Sequence, residues 1–161
     1  TTGHALKSDN TEIGGRGYVK IDGGNLTLSS AMGDGINTTK RILIEKGQIK
    51  LTAYESQGLR SDSLVHISGG DVTVMKNSKQ GIKSPFITIS GGTTQVTTNK
   101  IAINATHETA TTQPDDCELI VSGGSLYVNS LSYGLVSDGN IHINTPGSCG
   151  GTNMPPRHSL L

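Results

Sequence analysis

The amino-acid sequence predicts an all-β chain, a single-domain right-handed parallel β-helix: a solenoid of about six coils. Three observations carry that expectation. A break of Gly-Gly type recurs at Gly23-Gly24, Lys46-Gly47, Gly69-Gly70, Gly91-Gly92 and Gly123-Gly124. Apolar or Thr residues alternate on both sides of every break, as Val65 and Ile67 before Gly69 and Val72 and Val74 after Gly70. Such alternation marks a half-buried strand, and Gly lets the chain turn between two of them. An aliphatic corner also keeps time: Ile36, Leu59 and Ile82 are 59 − 36 = 23 and 82 − 59 = 23 residues apart. A fixed period of this length means stacked repeats, and no apolar pattern of helical period fills it.

Leu6 opens the first corner within residues 1–10, with Lys7 and Asp9 directed outward. Residues 11–17 read as a surface loop. Val19, Ile21, Leu26 and Leu28 then make the first pair of alternating runs. After the corner at Ile36 come Ile42, Ile44, Ile49 and Leu51, and after Leu59 come Val65, Ile67, Val72 and Val74. Ile87, Ile89, Thr94 and Val96 follow Ile82. A polar insertion near 106–116 separates Ile103 from Leu119, Val121, Leu126 and Val128. Leu135 is the last corner, and Ile141 and Ile143 begin a sixth copy cut short at Thr145-Pro146. The solenoid is therefore expected over 1–146, with 147–161 as a C-terminal cap or disordered tail. Two places after each corner aliphatic stand Ser8, Thr38, Ser61, Ser84, Ala105 and Ser137. Small hydroxylated residues suit an inside corner whose backbone needs hydrogen-bond partners.

Composition agrees with a narrow core. Only 32% of the 161 residues are hydrophobic, with one Phe and no Trp. In a solenoid each coil needs few inward aliphatics, because neighbouring coils supply the rest. The net charge is zero, so no basic field invites nucleic acid. No apolar run reaches membrane-spanning length, so no membrane insertion is expected. Beginning at Thr1, the chain reads as a mature or trimmed form. Cys117 and Cys149 are either one disulfide or two free thiols, and no His stands at zinc-site spacing from either.

Outward positions at the corner carry the chemistry. Lys7, Asn37, Arg60, Lys83, Asn104 and Val136 directly follow the stacked aliphatics; two places on stand Asp9, Thr39, Asp62, Pro85, Thr106 and Asp138. Asp34 directly precedes its corner Gly. Strand spacing of about 4.8 Å sets three cations on one ridge beside a second ridge holding three Asp. Lys7, Arg60, Lys83 and Asn37 are the candidate ligand-binding residues, facing uronate carboxylates. Asp9, Asp34, Asp62 and Asp138 are the candidate Ca²⁺ ligands, since Ca²⁺ takes six to eight hard oxygen ligands. The competing account is a solvated face whose Asp residues cap the turn by bonding backbone N–H groups.

The pieces Gly33-Asp34-Gly35-Ile36, Gly58-Leu59-Arg60-Ser61-Asp62, Gly81-Ile82-Lys83-Ser84 and Gly134-Leu135-Val136-Ser137-Asp138 sit beside the Gly-Gly breaks. Together they resemble a family of secreted bacterial carbohydrate-binding β-helix proteins related in fold to pectate lyases. One branch of that family binds Ca²⁺, pectic chains and cellulose. The resemblance covers about residues 3–145 and implies an extracellular or cell-surface location, Ca²⁺ at Asp-bearing corners and no catalysis. Thr39, Pro85 and Thr106 depart from the Asp pattern.

The expected function is therefore non-catalytic, calcium-assisted binding of acidic, pectic polysaccharide, by a monomer or by a module of a larger surface protein. Two alternatives stand beside it. One is a polysaccharide lyase, for which Arg60 with Asp62 and Asp34 is the only arrangement to nominate. The other is a structural or adhesive cell-surface spacer.

Overall fold

The computed structural model describes residues 3–12, 14–77, 79–107, 116–144 and 149–151. It is all-β, built from parallel sheets. Strands β1 (Leu6–Ser8), β3 (Ile36–Thr38), β5 (Leu59–Ser61), β8 (Gln80–Ser84), β10 (Ile101–Ala105) and β12 (Tyr133–Ser137) form a six-stranded sheet in that order. The second sheet contains β2 (Tyr18–Ser30), β4 (Arg41–Ala53), β6 (Leu64–Ile67), β7 (Asp71–Asn77), β9 (Phe86–Thr98), β11 (Glu118–Ser130), β13 (Asn140–Ile143) and β14 (Cys149–Gly151).

Register follows the repeat. Leu6 pairs with Ile36, Ile36 with Leu59, Leu59 with Ile82, Ile82 with Ile103, and Ile103 with Leu135. Likewise Val19 lies on Ile42, Ile42 on Val65, Val65 on Ile87, and Ile87 on Leu119. Every pairing is parallel. A one-residue slip would turn all these side chains outward, so the buried face locks the register. Ile36, Leu59, Ile82, Ile103, Ile42, Val65 and Ile87 are fully buried. Each contributes roughly 2 kcal/mol of hydrophobic burial.

The Gly breaks differ from a simple turn between two strands. β2, β4, β9 and β11 each run for 13 residues straight through the break. Only the third copy splits, into β6 and β7. Register shifts at Asp22 and at Gly123 show that the bend is absorbed by bulges. The second position of the break needs Gly for two reasons. Gly92 has φ +73°, and a Cβ there would come within 2.3 Å of the Gly70 carbonyl oxygen beneath it.

The chain ends depart from expectation at one point. Cys149–Gly151, expected to be free of strand, pairs with Leu126–Val128 of β11. The edge of β11 presents unpaired backbone groups beyond β13, and three residues satisfy them. Cys117 is a free, buried thiol. This is the free-thiol alternative as far as Cys117 is concerned. Residues 145–148 and 152–161 lie outside the described residues, as do 108–115 of the insertion. Residues 14–17 carry no strand. No helix among the described residues is long and apolar enough to cross a membrane.

Candidate functional site

The outward row of the six-stranded sheet is continuous. Lys7 pairs with Asn37, Asn37 with Arg60, Arg60 with Lys83, Lys83 with Asn104, and Asn104 with Val136. All four candidate ligand-binding residues thus lie on neighbouring strands. Inward alternation of Ile36, Leu59 and Ile82 forces the residue that follows each of them to the opposite face.

Asp34, expected as an outward Ca²⁺ ligand, is instead buried and bonded to this row. Its side chain is only 1% exposed. Oδ1 accepts from Ser56 Oγ at 2.5 Å and from the Gln57 amide at 3.1 Å. Oδ2 accepts from Asn37 Nδ2 at 2.6 Å and lies 3.9 Å from Arg60 Nη1. The Asp34 amide donates to His4 Nδ1 at 2.9 Å. That nitrogen carries no proton in this arrangement, so its 3.3 Å approach to Oδ2 is proximity rather than an ion pair. With both oxygens engaged and out of solvent, Asp34 holds Asn37 and Arg60 in place and offers no face to a cation from outside.

The other three Asp residues are exposed and separately engaged. Asp9 pairs with Lys7 at 2.8 Å, and this lysine, by hydrogen bond and by charge, holds the carboxyl below its ordinary pKa of 3.8. Asp62 lies 3.5 Å from Arg60 Nη2. Asp138 accepts from Thr106 Oγ1. The amides of Thr39, Asp62, Thr106 and Asp138 bond to the carbonyls of Ser8, Thr38, Ser84 and Ala105. Thr39 therefore stands between Asp9 and Asp62, and no two of these carboxylates occupy neighbouring strands. Arg60, Asp34 and Asp62 do meet, as the lyase alternative required. Both carboxylates engage the Arg60 guanidinium, at 3.9 and 3.5 Å.

Two features escaped the sequence reading. The first is a row on the other sheet: Tyr18 pairs with Arg41, Arg41 with Leu64, and Leu64 with Phe86. Tyr18 and Phe86 are 45% and 37% exposed, and the Arg41 guanidinium sits 5.9 Å from the Tyr18 ring centre. The signal was present, since each residue directly precedes an inward aliphatic. The second is at the foot of the insertion, where His107, Asp116 and the buried Cys117 bring one ligand atom each to within 4.8 Å of one another. No repeat spans the residues between His107 and Asp116, so no periodicity announces that the two meet. Burial, with Asp138 and Asp116 nearby, raises the Cys117 thiol above its ordinary pKa of 9.0.

A family model described as "Carbohydrate-binding domain-containing protein" matches residues 1–100. The matched span contains Lys7, Asn37, Arg60, Lys83 and the Asp34 network, together with Tyr18, Arg41, Leu64 and Phe86. No curated protein and no solved structure matches the chain.

Proposed function

We propose that this chain, which belongs to the family of carbohydrate-binding domain-containing proteins, is a non-catalytic binder of acidic, pectic-type polysaccharide. The parallel ladders support a right-handed solenoid of about six coils, on whose outside the sugar chain lies. One observation carries the reading: Lys7, Asn37, Arg60 and Lys83 stand side by side in register. The cations Lys7, Arg60 and Lys83 supply charge-assisted hydrogen bonds to successive carboxylates, while Asn37, buried and donating to Asp34, sets the spacing between them. Asp34 fixes Asn37 and Arg60 beforehand, which lowers the ordering cost of binding.

Ca²⁺ enters as a bridge. One exposed carboxylate, that of Asp62 or Asp9, supplies too few oxygens for a shell of six to eight. Uronate oxygens of the bound chain and water complete the shell, so Ca²⁺ and sugar bind together. The protein acts outside the cell or at the cell surface, where such polymers occur.

The test is retention on polygalacturonate, with and without chelator, beside a neutral glucan. Lys7→Ala with Lys83→Ala is expected to weaken retention about tenfold, the worth of one or two charged hydrogen bonds. Retention that ignores the double substitution would sink the assignment to this row. The exposed Tyr18 and Phe86 rings favour a second reading, a stacking platform for neutral sugar faces. It predicts retention on the neutral glucan that Tyr18→Ala and Phe86→Ala abolish.

A further inference from the structure

We propose that His107, Asp116 and Cys117 form a zinc site at the foot of the insertion, distinct from the sugar-binding row and independent of that reading. The three donors come from both sides of residues 108–115: His107 just after β10 and Asp116 and Cys117 just before β11. Their ligand atoms all lie within 4.8 Å of one another. A tetrahedral zinc ion, with bonds of about 2.0–2.3 Å, draws such donors to roughly 3.5 Å. Rotation of the two outer side chains covers that difference.

Donor chemistry favours zinc over calcium. One thiol, one imidazole and one carboxylate make a mixed S, N, O set, which suits a borderline-soft ion and leaves a fourth position open. His107 Nε2 lies 2.6 Å from Asp116 Oδ1, a hydrogen bond that an entering ion replaces as the two donors part to tetrahedral spacing. Cys117 is buried beside them. On binding, the Cys117 thiol loses its proton to solvent and the S–Zn bond replaces the S–H bond. The simpler account is a core cysteine beside a surface His–Asp hydrogen bond, with no ion at all.

Metal titration of the whole chain separates these accounts. Metal-free protein is titrated with Zn²⁺ and, separately, with Co²⁺, whose thiolate complexes absorb in the near ultraviolet. The expected result is one ion per chain, a thiolate-to-cobalt band, and loss of that band in Cys117→Ser. His107→Gln, at a partly exposed position, is expected to weaken Zn²⁺ binding about tenfold or more and to leave the fold intact by circular dichroism. Cys149→Ser is expected to change neither quantity. Should Cys117→Ser fail to fold, the wild-type cobalt band and His107→Gln still decide. No saturable binding, binding without a thiolate band, or binding indifferent to His107 would overturn the proposal.

Discussion

Asn37 and Asn104 occupy the same outward row of one sheet, three strands apart, and both are buried. Their surroundings differ. Three residues before Asn37 stands Asp34, which accepts its amide at 2.6 Å. Three residues before Asn104 stands Ile101, and Asn104 Oδ1 has no hydrogen-bond partner among the described residues. Stacking fixes where a side chain goes and leaves its partner to chance or to selection. A paired polar group in such a slot stiffens the site, whereas an orphaned one costs its desolvation.

The largest expected effect breaks the satisfied half. Asp34→Ala leaves Arg60 half-buried without this carboxylate and removes the acceptor of Asn37, Ser56 and Gln57. Unfolding in urea is expected to show a loss of about 3 kcal/mol. A loss under about 1 kcal/mol would mean that the network is ornamental.

One substitution made at both positions sharpens the contrast. Asn37→Val removes a buried donor to Asp34 and is expected to cost about 1.5 kcal/mol. Asn104→Val removes an orphaned acceptor and suits a strand, so a gain of about 0.5–1 kcal/mol is expected. Shifts of the same sign in the denaturation midpoints would refute the account.

Thr94 extends the lesson to the inward face. It lies in the column Val72, Thr94, Leu126, fully buried, with its hydroxyl unpartnered among the described residues. Thr94→Val keeps the shape and is expected to raise stability by about 1 kcal/mol, read as a higher midpoint with an unchanged m-value.

The smallest effect is electrostatic. Asp9 titrates below 3.8 because Lys7 hydrogen-bonds it and attracts its charge. A depressed carboxyl contributes stability above its unfolded pKa and loses it as pH falls through the lower folded value. For a fully exposed pair this is a slight slope. The direct check is the carboxyl carbon shift, whose midpoint is expected to return towards 3.8 in Lys7→Ala.

The repeat and its register were legible before any coordinates. Leu6, Ile36, Leu59 and Ile82 pair as their spacing requires, because alternation and Gly breaks leave one register that buries the aliphatics. The small column was half legible. Ser61 Oγ bonds the Lys40 carbonyl and receives the Ser63 and Leu64 amides, but Thr38 Oγ1 and Ser84 Oγ are buried without partners among the described residues. Asp34 read as an exposed ligand because its position before the corner Gly is outward. Burial came from Ser56 and Gln57, one strand layer away, and no local pattern announces them.

Sequence alone determined the order of strands, the inward columns and the row that holds Lys7, Asn37, Arg60 and Lys83, since each follows from a period and an alternation. Only the tertiary structure decided which outward groups are covered and which donors from across the insertion meet at Cys117. Those outcomes depend on side-chain contacts between layers and across a chain excursion, which periodicity does not encode.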